Sequence, residues 1–149
     1  MGEIASFPMQ VESGSVTEDV LAKINKHTRK ALTAEEVFVF SGVVSDDTKD
    51  SYDTRMDPET TLRNYADDLA SGVPLMSGHD TSKQPFGRSF DSEYNGKGVT
   101  GHFYLLRNCS ANGQATNDII RNIEGGIIRD MSVGFAAKVA ALYVGVRFI

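Results

Sequence analysis

The chain has 149 residues, 40% of them hydrophobic and 23% charged, with a formal net charge of −5. That length fits a single domain, 1–149, able to bury roughly two-thirds of its unfolded surface. Acids spread along the chain exclude the clustered Lys and Arg of a nucleic-acid or anionic-membrane surface. The single cysteine, Cys109, excludes an intrachain disulfide and a thiolate metal cluster, and it suits a reducing compartment. No stretch approaches the apolar length of a membrane-spanning helix, and Met1 to Pro8 lacks the basic start and apolar run of a signal peptide.

Residues 1–15 contain Gly2, Pro8 and Gly14 among scattered apolar residues, and are expected either to be loose or to add an edge strand over Phe7 to Val11. Thr17-Glu18-Asp19 opens a helix, with Thr17 as cap and two acids in the first turn. Val20, Leu21 and Ile24 give it one apolar face, while Lys23, Lys26, Arg29 and Lys30 crowd its C-terminal half. His27 sits in that basic run and reads as a solvated helix residue. Glu36 to Val44 is the clearest strand, rich in β-branched and aromatic residues on both faces, and belongs at the centre of a sheet. Ser45 to Asp53 is an acid-rich polar loop. Its spacing does not match an EF-hand and it has no turn glycine, so it reads as solvated and not as a calcium site.

Asp57-Pro58-Glu59 starts a second helix, Asp57 as cap and Pro58 at the first helical position. Leu62, Tyr65, Ala66 and Leu69 form its apolar face, and Ser71-Gly72 ends it. Val73 to Ser77 is a short strand leading into Gly78-His79-Asp80. Phe86 to Asp91 and Val99 to Leu106, joined by the turn around Asn95-Gly96, read as a β-hairpin, with His102, a second candidate for a catalytic role, facing outward. Residues 107–114 read as a polar loop. Ala115 to Glu124 is a third helix with Ile119, Ile120 and Ile123 inward, closed by Gly125-Gly126. No internal repeat appears.

The last strand, Arg129 to Phe135, carries the chemistry. Met131, Val133 and Phe135 alternate with Asp130, Ser132 and Gly134. A serine nucleophile needs clearance, which Gly134 gives, and a base. The base this chain offers is His79, at the end of another apolar run and beside a glycine. An isolated strand serine is more often structural, its hydroxyl bonding locally to the backbone. Arg88 is either a group that orients the reacting centre or a surface strand cation. Cys109, with no basic neighbour in sequence, reads as a loop thiol without a role.

The order of these elements resembles the serine proteases that mature the proheads of tailed bacteriophages, and through them the herpesvirus assemblin fold. Four pieces from Val37 to Phe135 carry the likeness. They are the early strand with its polar loop and following helix; the apolar run Val73 to His79; Pro85-Phe86-Gly87-Arg88-Ser89-Phe90 with its hairpin partner; and the last helix followed by Asp130-Met131-Ser132-Val133-Gly134-Phe135. The last piece is similar to the family's small-residue–Ser–x–Gly–aromatic signature. The resemblance implies an α+β fold, a mostly antiparallel barrel-like sheet flanked by about three helices. It implies catalysis by Ser132 with His79, without cofactor or metal. The implied partners are phage scaffold and major capsid proteins as substrates, together with self-cleavage and possible homo-oligomers, inside the assembling prohead in the cytoplasm of the infected bacterial host.

The resemblance also implies a third residue, an acid or a second histidine, on a strand after the serine. Nothing after Asp130 is Asp, Glu or His. The tail 136–149 reads either as a strand that completes the sheet or as the end of a truncated or altered reading frame, and only Asp80 or Asp130 is left to fill the third role. The competing expectation is a phage head-assembly or scaffold-like binding module that keeps the fold without the chemistry.

Overall fold

The computed structural model describes residues 7–11, 16–46, 58–77, 82–128, 130–136 and 141–146. Nine strands and three α-helices lie within them. The strands are β1 (Phe7–Val11), β2 (Val37–Asp46), β3 (Pro74–Ser77), β4 (Gly87–Tyr94), β5 (Gly98–Leu106), β6 (Ser110–Ala111), β7 (Gln114–Ala115), β8 (Asp130–Ala136) and β9 (Ala141–Val146). The helices are α1 (Glu18–Asn25), α2 (Pro58–Ser71) and α3 (Thr116–Glu124). Seven strands close a barrel in the order β1-β2-β5-β4-β3-β9-β8, with β8 returning to β1. Every pairing in it is antiparallel except that of β3 with β9. The expected α+β, mostly antiparallel barrel is therefore the observed architecture.

β2 explains why the fold has two apolar layers. Phe38, Phe40 and Val44 enter the main core with Phe103 and Leu105 of β5, Leu75 of β3, Met131 of β8 and Val144 of β9. Phe40 and Phe103 stack across the β2–β5 register at 5.3 Å between ring centroids. Val37 and Val39 point the other way, into a second cluster with Phe90, Tyr104 and Ile24 of α1. A strand covered on both faces must be apolar on both, which is what its sequence shows. Leu62, Tyr65, Ala66 and Leu69 of α2, and Ile119, Ile120 and Ile123 of α3, join the main core. α1 covers the second face through Ile24, with Val20 and Leu21 beside it.

Local chemistry sets the helix ends. Thr17 caps α1, its Oγ1 accepting from the Val20 N–H at 3.2 Å. Gly72 terminates α2 at φ +100°, a conformation that suits glycine. The joint between α2 and β3 is pinned by Ser89, which is fully buried. Its Oγ donates to the Leu69 carbonyl at 2.7 Å and accepts from the Val73 N–H at 2.7 Å.

Four expectations need correction. β1 is not an edge strand, because β2 and β8 bond to its two sides. His27 is not a solvated helix residue: α1 stops at Asn25, and His27 is half-buried, its Nδ1 3.3 Å from where a Cβ on Gly72 would stand. Ser45 and Asp46 belong to β2 and not to the following loop. Residues 107–114 are more than a loop, since β6 and β7 form a small hairpin there around Asn112-Gly113. Both turn residues have positive φ, 53° and 78°, as a two-residue hairpin of this kind requires. The tail contributes β9, which completes the barrel between β8 and β3. Residues 47–53 of the acidic loop, and Asp57, lie outside the described residues.

Candidate active site

α3 ends at Glu124 with Gly125 as its C-cap, and β8 begins at Asp130. Ile128 and Met131, both almost fully buried, anchor the entry of the strand in the main core. For Ser132 and Asp130 the backbone alone is described, and His79 and Asp80 lie outside the described residues. The site is therefore defined by strand register.

Ser132 pairs with Gly145 of β9, and Gly145 pairs on its other side with Met76 of β3. Positions 132, 145 and 76 thus form one row across three neighbouring strands. At the usual spacing between strands, the backbones of Ser132 and Met76 are roughly 10 Å apart. The next row is Met131, Val146 and Ser77, and Ser77 ends β3. The chain then runs on to His79. The middle position of the Ser132 row is a glycine, so no side chain stands there between β8 and β3.

The other candidates fall elsewhere. His102 lies on β5, which is separated from β8 by β2 and β1. It is half-buried beside the Phe90 ring, with Nε2 3.6 Å from Glu93 Oε1. Beside it, Lys23 of α1 meets Asp91 at 3.0 Å. Burial works against the charged form of Asp91, but the hydrogen bonds from Lys23 and the Ser92 N–H outweigh it and hold the carboxyl below its ordinary range. This group ties α1 to β4 and is remote from Ser132. Arg88 stands on β4, three strand spacings from β8 through β3 and β9. That is roughly 14 Å along the sheet. Its Nη1 donates to the Gly72 carbonyl at 2.9 Å, so the arginine is not brought beside the serine. Cys109 is an exposed free thiol at the foot of the β6–β7 hairpin. Among the described residues no three His, Cys, Asp or Glu side chains converge as a metal site requires, and no helix is long and apolar enough to cross a membrane.

β9 reads Ala-Leu-Tyr-Val-Gly-Val and has neither an acid nor a histidine, although it is the strand next to the serine. The hairpin β6–β7 escaped the sequence reading because strands of two residues have no periodicity. The Asn112-Gly113 dipeptide was the signal for it. No family model, curated protein or solved structure matches this chain.

Proposed function

We propose that the chain is a serine endopeptidase of the prohead-maturation type, cleaving phage scaffold and major capsid proteins, and itself, within an assembling head in the infected host. The observation that supports this reading is the row Ser132–Gly145–Met76, which puts the strand of the serine and the strand leading to His79 on either side of one short strand. Strand alternation gives position 132 the face opposite that of the core residue Met131. The glycine in the row, buried together with Met76, puts no side chain of β9 between position 132 and β3.

In this reading Ser132 Oγ attacks the scissile carbonyl while His79 takes its proton. The tetrahedral intermediate collapses as His79 returns that proton to the leaving amine, and water then releases the acyl group by the same route. An imidazole suits both steps because its ordinary pKa lies near the working pH. Backbone N–H groups beside the nucleophile carry the oxyanion. Asp130 or Asp80 orients the imidazole, since β9 supplies no such group.

That same absence favours the second reading, an assembly module that keeps the barrel and has lost the chemistry. The test is a gel time course of scaffold protein incubated with the parent chain, Ser132→Ala and His79→Gln. Cleavage by the parent alone supports the protease. A pair lacking its orienting partner is slower by about 10⁴ than a complete triad, so long incubations and an acid-bearing replacement for residues 136–149 belong in the series. Cleavage equal in parent and Ser132→Ala overturns the serine mechanism. Its absence from every chain in the series leaves the assembly module.

A further inference from the structure

A cavity of about 410 Å³ opens beside the β4–β5 hairpin, away from Ser132. Its apolar wall includes Phe86 and Leu106, and Leu106 is 37% exposed, one of only two large hydrophobic residues so exposed among the described residues. Its polar lining includes Arg88 and Tyr104, and Cys109 also lines it. Arg88 and Tyr104 are direct cross-strand partners, so the guanidinium and the phenol stand side by side on one face.

Tyr104 is 9% exposed and Arg88 is exposed; both line the cavity and both keep unused hydrogen-bonding capacity. One arginine nitrogen is fixed by the Gly72 carbonyl, and no carboxylate pairs with Arg88 among the described residues. The Tyr104 hydroxyl makes no hydrogen bond among them either. Burial raises the pKa of Tyr104 against the opposing pull of Arg88, so the phenol stays a neutral donor. The Gln84 part of the lining is tied to the turn of the β6–β7 hairpin. Asn112 holds Gln84 at both backbone groups, accepting from its N–H at 2.9 Å and donating to its carbonyl at 2.8 Å. A fixed fork of N–H donors beside a phenol matches a carboxylate, and the volume is that of a small-ligand site.

We propose that this cavity binds an organic monocarboxylate with an apolar body, the carboxylate on Arg88 and Tyr104 and the body against Phe86 and Leu106. Two sources share that chemistry, a free carboxylic acid and the C-terminus of a peptide ending in an apolar residue. The proposal is independent of the protease reading and is tested on Ser132→Ala protein. Cys109 is the only cysteine, so its alkylation by iodoacetamide, followed by intact mass, reports occupancy. The probes are hexanoate against hexanamide, and a tetrapeptide ending in leucine against its C-terminal amide.

At a concentration about ten times its Kd, a bound acid should slow alkylation roughly tenfold by mass action, and its amide should not. Arg88→Gln should remove the protection and Arg88→Lys should weaken it, because an ammonium keeps the charge without the fork. Leu106→Asp, at an exposed position that tolerates a polar side chain, should weaken it as well. Protection by one acid and not the other names the source. Equal protection by acid and amide, protection that survives Arg88→Gln, or none from either acid at tens of millimolar overturns the proposal.

Discussion

Ser89→Ala tests the joint that sets β3 in the barrel. The side chain is fully buried and serves two backbone groups. Leu69, whose carbonyl accepts from Ser89 Oγ, keeps a second donor in the Gly72 N–H at 3.2 Å. The Val73 N–H has no such substitute, because Ser89 Oγ is its acceptor. The alanine variant therefore loses both hydrogen bonds: the one to Leu69 costs about 0.5–1.5 kcal/mol, and the loss of the one from Val73 strands a buried donor at about 1–3 kcal/mol, so the expected loss is roughly 2–4 kcal/mol. In a chain of this length that lowers Tm by about 5–15 °C. Ser92→Ala is the comparator. Its Oγ donates to the Ala66 carbonyl inside α2, which keeps its helical donor, so only the smaller loss of about 1 kcal/mol applies. Urea unfolding followed by circular dichroism separates the two, with m unchanged and the midpoint shifted. A loss at Ser89 below about 1 kcal/mol, or equal to that at Ser92, would show that Val73 finds another acceptor and would refute the accounting.

Two further outcomes follow from the geometry. The folded pKa of Asp91 is held below its unfolded value, so its pair with Lys23 stabilises the fold fully above the ordinary carboxylate pKa of about 3.9, and that contribution is lost as pH falls through the depressed folded value. Asp91→Asn should flatten the acid limb of a Tm-against-pH curve and leave the neutral Tm little changed, since both side chains are substantially exposed; an unchanged acid limb would remove Asp91 from that role. Gly145→Val places a branched side chain in the row between Ser132 and Met76. On the protease reading, cleavage drops to the Ser132→Ala level while the far-ultraviolet spectrum stays that of the parent, and full activity in this variant would show that the reacting groups do not meet across position 145.

The sequence was most legible where one element carries its own signal. Thr17 before two acids marks a helix start, Pro58 and Gly72 bracket α2, and the aromatic and β-branched run of β2 needs no partner to be recognised as a strand. Pairing was less legible, because it depends on strands far apart in the chain. Phe7–Val11 looks like an edge until β8 arrives to cover its second side. β9 is apolar with either outcome, and only its antiparallel ladder to β8 and parallel ladder to β3 make it a barrel strand. The candidate site shares this property. Gly134 beside Ser132 was readable, whereas Gly145, the residue that actually pairs with Ser132, is one more glycine in an apolar tail until the register is known. Arg88 was legible as a candidate but not in its surroundings, since its partners Tyr104 and Gly72 come from a neighbouring strand and a helix end.

β9 carries two demands that pull on the same residues. As the strand that closes the barrel it must contribute to the core, and Val144 does so, fully buried beside Leu75 and Met131. As the strand between the serine and β3 it is also where an orienting acid or histidine would stand closest to both. Alternation permits both roles, because Val144 faces the core and positions 143 and 145 belong to the other face of the strand. Yet the positions that flank Val144 are Tyr143 and Gly145, and neither can hold an imidazole in one tautomer as a carboxylate does. Barrel closure is therefore independent of catalytic competence here. The strand satisfies the first, and on the protease reading a single acid on its non-core face would supply the orienting group without touching Val144.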